Sequence, residues 1–250
     1  MNSFKMDVNI IGEHGYKQAL FGLGLSYGLT TGMKFEDFKN NKELVEKLNG
    51  VAVKLSTKDG GHNKFLESIR IWLDVNAPIY WWVEADTYRL TSKQSESTMH
   101  TLVKEIEGIT KNLADITDHR HLDHMLYQEH QYVQKYVLGH FDVEEHDETL
   151  LGYIRNQLIT IAQRLKYITD PSEKIIICKR FLPTSYMQRR EWLIDYKTFR
   201  NMVLQRYNHR LPHWHKFIDD VYDGLKHPEL VTKEITAFGG IAVNKINKEK

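Results

Sequence analysis

The stretch "SIRIWLDVN", residues 68–76, alternates, with Ile69, Ile71, Leu73 and Val75 on one face. That period belongs to a strand, whose successive side chains point to opposite sides of a sheet. A strand with one apolar face needs neighbouring strands and a layer to cover it. Pro78 lacks a backbone N–H and stops the strand. The cover is readable further on. "TLVKEIEGITKNLADI" sets Leu102, Ile106, Ile109, Leu113 and Ile116 on one helical face, and "YIRNQLITIAQRLKYI" does the same with Ile154, Leu158, Ile161, Leu165 and Ile168. "MDVNIIG" reads as an edge strand, "GYKQALFGLGLSYGLTTG" as a glycine-rich helix or turn, and "KFEDFKNNKELVEKLNGVAVKL" carries helical spacing. The spacing predicts one long helix across "MQRREWLIDYKTFRNMVLQRY" and another across "PHWHKFIDDVYDGL". The aromatic run Tyr80, Trp81, Trp82 stands at the strand's end as an apolar load that a partner chain is expected to cover. The chain is mixed α/β and heavy in helix, without the β-α alternation of a doubly wound sheet. It contains no G-x-G-x-x-G and no P-loop, which removes the main support for the common dinucleotide and P-loop readings.

A length of 250 residues suffices for a sizeable core, and a formal charge of +1 gives no global attraction to nucleic acid or a membrane surface. Anionic ligands must be held by local basic groups. No apolar stretch approaches the roughly 18 residues of a membrane span, and the N-terminus lacks a signal-peptide core. A cytoplasmic protein is expected, in the host cytoplasm if the source is viral. The single cysteine, Cys178, excludes an internal disulfide and a thiolate zinc site. In "KIIICKRFLP" its basic neighbours favour a lowered pKa, while a small buried apolar residue is the usual role of a lone Cys. Among 13 histidines, "TDHRHLDHMLYQEH" gathers Asp118, His119, His121, Asp123, His124 and His130. A His pair with a carboxylate suits zinc or iron. The segment lacks H-E-x-x-H and reads equally as a solvated connection, and no metal is assigned. The second cluster, "NHRLPHWH", follows Arg206 and contains Arg210, a mixture that favours an anion or ring-stacking role.

Residues 62–100 carry a more specific pattern. His62 and Glu67 are separated by four residues, the alternating strand follows, then Ala77-Pro78-Ile79, then the polar "TYRLTSKQSESTM". This resembles the flavin-dependent thymidylate synthases, whose pattern runs His, four residues, Glu, a strand, A-P-I, then R-H-R, seven residues, Ser, one residue, Arg. The first Arg and the His of that signature are Thr87 and Tyr88 here, Arg89 and Ser97 are kept, and the final Arg is Met99. Glu84 stands at an upstream Gln and Ser95 at the Glu between two serines. Near the ends, "GLGLSYG" resembles A-A-R-V-S-Y-G with Gly24 at the arginine, and "CKRFLP" resembles A-R-x-x-L-P with Lys179 at the arginine. Trp192, Asp195, Lys197, Asn201 and Arg206 stand at the family's Trp, Asn, Arg, Asn and Arg. "RYNHRLPHW" loosely matches R-x-x-x-H-A-Q-W-E.

The resemblance implies a central, mostly antiparallel sheet flanked by long helices, in one domain over residues 1–250. Residues 101–170 match only as helices. It implies a homotetramer that binds FAD and a pyrimidine deoxynucleotide, with NADPH and methylenetetrahydrofolate if it moves a one-carbon unit to C5 of dUMP. By the same resemblance His62, Thr87, Tyr88, Arg89, Leu90, Asp195, Lys197 and Asn201 hold the cofactor. Glu84, Ser95, Ser97, Met99, Lys179 and Arg206 hold the nucleotide, with Ser97 and Arg206 at the chemistry. Two readings of function stay open: a divergent enzyme of this family, and a non-catalytic nucleotide-binding or interaction protein that keeps the fold. For Arg89 and Arg206 the alternative to a ligand role is simple pairing with Glu84 or Asp86.

Overall fold

The computed structural model describes residues 4–96, 98–111, 132–206 and 208–232, with backbone alone at 98–100, 110 and 111. The elements run β1 (Asp7–His14), α1 (Tyr16–Ser26), α2 (Phe35–Asn40), α3 (Lys42–Ser56), a 3-10 turn (Lys64–Ser68), β2 (Arg70–Pro78), α4 (Ile79–Ala85), β3 (Ser92–Ser95) and α5 (Thr98–Lys111). They continue with α6 (132–140), α7 (Glu148–Leu165), α8 (Pro171–Phe181), β4 (Met187–Asp195), α9 (Tyr196–Arg206), α10 (Pro212–Gly224) and α11 (Glu229–Thr232). The strands form an antiparallel sheet in the order β1-β2-β4-β3. β2 buries Ile71, Leu73, Val75 and Ala77 completely, as its alternation predicts, and β1 is an edge strand.

Two expectations are corrected. The helix expected across residues 187–207 is strand β4 followed by helix α9. Met-Gln-Arg-Arg-Glu favours helix locally, but propensity is a weak prior. Between β2 and β3 the segment gains ladder partners on both sides, and Trp192 and Ile194, two apart, are both fully buried. The aromatic run is not a strand end either. It lies on α4, where Trp81 and Trp82 are fully buried within the chain and their rings meet edge to face at 4.9 Å. Trp82 Nε1 donates to the Gln188 carbonyl at 2.9 Å. These two rings therefore leave no apolar load for a partner to cover.

The described residues fall into two compact units, one within 1–5, 76–86 and 95–189, the other within 6–75, 87–94 and 190–250. In the first, α5, α7 and α8 pack together around Leu102, Ile106, Leu158, Ile161, Leu165 and Cys178. Asp147 and Asp170 accept hydrogen bonds from Leu150 N and Ser172 N and so cap α7 and α8, and Pro171 opens α8 where its missing N–H costs nothing. In the second unit α1 packs on α3 and on the 3-10 turn, and α9 packs on that turn and on α10 and α11. Leu20, Phe38, Leu48, Leu66, Phe199 and Phe217 are among its buried side chains. Gly15 joins β1 to α1 at φ 96°, and a Cβ there would lie 2.2 Å from the Ser68 carbonyl oxygen.

Candidate functional site

Helix α9 sets out the candidate site in the second unit. It starts where Asp195 Oδ1 accepts from Thr198 N–H at 2.8 Å, an N-cap bond. The other oxygen of this buried carboxylate meets Arg70 at 3.3 Å. Asp195, expected at the cofactor, thus has a helix-capping place. Lys197, on the first turn, pairs with Glu67 at 2.5 Å. Asn201 follows four residues later on the same face and is half-buried. Arg200, which the sequence did not single out, is buried and donates to Asp59 Oδ1 at 3.1 Å and to the Thr57 carbonyl at 3.2 Å. That pair fixes the chain leading into the 3-10 turn.

Glu67 connects α9 to a cavity of about 660 Å³. α1 supplies Gln18, Leu23 and Ser26 to its wall, and the turn region supplies His62, Lys64 and Glu67. Of the residues expected at the cofactor, His62 lines this cavity, and Lys197 reaches its wall through the pair with Glu67. The lining offers an apolar side, hydroxyl and amide groups, and charges of both signs.

A second cluster forms at the far end of α9. Tyr88 Oη donates to Gln205 Oε1 at 3.1 Å and accepts from Arg206 Nε at 3.2 Å. The Arg206 guanidinium lies 5.1 Å from the Trp214 ring centre and 5.9 Å from that of Tyr88. The two rings meet edge to face at 5.8 Å, and His209 approaches Trp214 at 6.4 Å. The ring-stacking partner that "NHRLPHWH" suggested for Arg206 is thus Trp214. A half-buried cation over aromatic faces keeps a fixed direction and is partly stripped of water, which strengthens its pull on an anion.

The remaining expected residues are dispersed. Thr87, Arg89 and Leu90 are exposed in the loop between α4 and β3, and Leu90 holds φ 61° at 88% exposure. Strain of that kind concentrates at functional positions. Glu84 is half-buried on α4, Ser95 ends β3 exposed, and Lys179 is exposed on the last turn of α8. Met99 is on the first turn of α5, its side chain outside the described residues, as is Ser97 altogether. The six residues of the first histidine cluster lie outside them too. Among the described residues no group of three or more His, Cys, Asp and Glu is placed to hold a metal ion. Cys178 is fully buried, and burial first, then the Glu107 carboxylate, pushes its thiol up to about 11. The lowering expected from its basic neighbours is overridden by desolvation.

Gly24, at the family's arginine, is not simply an empty position. A Cβ there would lie 2.5 Å from Thr30 Cγ2 and 2.9 Å from its Oγ1. Thr30 is itself buried and donates to the Phe21 carbonyl at 2.9 Å. The space an arginine stem needs is filled.

No family model and no curated protein sequence matches the chain. Solved structures do. A crystal structure of thymidylate synthase X (ThyX) from Helicobacter pylori with FAD and dUMP superposes with a TM-score of 0.65 at 13% identity, covering 91% of this chain and 97% of that one. A second, of flavin-dependent thymidylate synthase ThyX from Helicobacter pylori complexed with FAD and dUMP, gives 0.65 at 14% identity, covering 90% and 97%. The chain has the thymidylate synthase X fold.

Proposed function

We propose that this chain binds FAD and a pyrimidine deoxynucleotide and forms little or no dTMP from dUMP. One observation carries the reading. His62 and Glu67 line one cavity, and Glu67 pairs with Lys197 of α9, so a residue 130 positions away in sequence, matched like His62 to a cofactor position of the family, is tied to the cavity wall. The donor set fits a flavin nucleotide. Leu23 and Phe65 give an apolar wall for a ring, Lys64 a cation for a diphosphate, and Glu67 an acceptor for ribose hydroxyls. FAD would supply hydride chemistry there. Arg206, held by Tyr88 and Trp214, is the candidate for the nucleotide's anion.

Weak turnover follows from what the chain lacks. Thr87 and Met99 replace two permanent cations, and Tyr88 cannot carry a positive charge near neutral pH. Losing one Arg–phosphate pair at a partly desolvated site costs roughly 2–5 kcal/mol, about 30-fold to several-thousand-fold in affinity. The filled space at Gly24 means that one substitution there would not restore an arginine. A second reading, one-carbon transfer to C5 of a related pyrimidine nucleotide with NADPH and methylenetetrahydrofolate, is favoured by the fixed Arg206. A thermal-shift panel of FAD and pyrimidine nucleotides, joined to tritium release from 5-tritiated dUMP with all cofactors, tests both. FAD should raise Tm and dUMP should give no turnover. A nucleotide that raises Tm more than dUMP selects the second reading. The proposal fails if FAD and every nucleotide leave Tm unchanged, or if tritium is released at a rate typical of a thymidylate synthase.

A further inference from the structure

The groove between α7 and α8 in the first unit takes no part in the site above. α7 presents Tyr153, Gln157, Thr160 and Arg164 at positions i, i+4, i+7 and i+11, one helical stripe. α8 presents Ile177, Arg180 and Phe181 at i, i+3 and i+4. With Ile161 they enclose about 690 Å³, within the roughly 300–1,000 Å³ usual for small-molecule sites. Gln157 Nε2 donates to the Phe181 carbonyl at 2.9 Å, satisfying a helix-end acceptor and fixing the end of α8 against α7.

Three features say what such a groove would take. Its lining contains two guanidiniums and no carboxylate. Among the described residues neither Arg164 nor Arg180 has an ion pair or side-chain hydrogen bond. At the cavity beside His62, by contrast, the Glu67 carboxylate is paired with Lys197. The flanks are aromatic, with Tyr153 at 64% and Phe181 at 48% exposure, over an apolar floor of Ile161 and Ile177. Guanidinium forks recognise carboxylate, sulfonate and phosphate oxygens, and aromatic flanks favour a planar ring. We infer that the α7–α8 groove is a second ligand site, for a planar aromatic ring bearing an anionic group.

The probe is 8-anilinonaphthalene-1-sulfonate, a planar aromatic sulfonate. It is titrated by fluorescence into the full chain with FAD and dUMP in excess, so that the site proposed above is not what it reports. Its neutral counterpart, N-phenyl-1-naphthylamine, is titrated beside it. Saturable binding is expected, weakened at least tenfold in the double variant Arg164→Ala, Arg180→Ala, with binding of the neutral probe unchanged. Hydrogen exchange supplies a readout independent of any variant: the sulfonate should slow exchange of amides in residues 153–164. The inference is overturned by equal sulfonate binding in the variant, by parallel loss of the neutral probe, or by unchanged exchange over those residues.

Discussion

Gly24 shows how much of a site can depend on one missing side chain. Its absent Cβ leaves the place that the Thr30 methyl and hydroxyl occupy. Gly24→Ala should therefore lower the unfolding free energy by about 1–3 kcal/mol, the usual cost of overpacking. Thr30→Ala removes both close atoms, so the double variant should be more stable than the sum of the two single changes allows, with a coupling of about 0.5–3 kcal/mol. Additive effects in urea unfolding would show that the two side chains do not compete for one space. Cys178 makes a different point. A thiol held near 11 leaves about one thiolate in a thousand at pH 8. Folded protein should react with 5,5′-dithiobis(2-nitrobenzoic acid) at the rate of global unfolding, and unfolded protein at once. Rapid labelling of the folded chain would contradict the buried placement. A thiol whose pKa is raised on folding contributes its stability fully below its unfolded pKa, and that contribution is lost as pH rises towards 11.

The helix expected over residues 187–207 survives only as α9, since its first half is strand β4. Asp195 caps α9 and holds Arg70, so Asp195→Ala should cost about 0.5–2 kcal/mol, the range for a lost N-cap. Asp195→Asn keeps an acceptor and should cost less; equal losses by denaturant unfolding would show that Asp195 does not stabilise α9 as a cap. β2, the edge strand β1, α7 and α10 were legible because their apolar residues repeat with period 2 or 3.6. β4 was not, because its first five residues favour helix and only its place in the sheet decides otherwise. α4 was missed for the opposite reason: Ile-Tyr-Trp-Trp-Val is rich in strand-favouring residues, yet it follows Pro78 as a short buried helix. The His62–Glu67 spacing could be read directly. The Lys197–Glu67 and Arg200–Asp59 pairs span 130 and 141 residues and leave no local period to detect.

The chain keeps the thymidylate synthase X fold at 13–14% identity to its solved neighbours. Self-association is expected as a homotetramer of the 29.5 kDa chain. The buried tryptophans of α4 no longer support it, and the expectation rests on the family resemblance. Light scattering at micromolar concentration should give about four chain masses, and a monomer alone would remove the tetramer. Flavin binding at the cavity beside His62 and Glu67 is read by an absorption spectrum of the purified protein from 350 to 500 nm. Flavin bands corresponding to about one FAD per chain, present on purification or after incubation with FAD and gel filtration, and lost in Glu67→Ala, are the predicted result. A colourless protein that retains no flavin after that incubation would show that the cavity does not hold FAD.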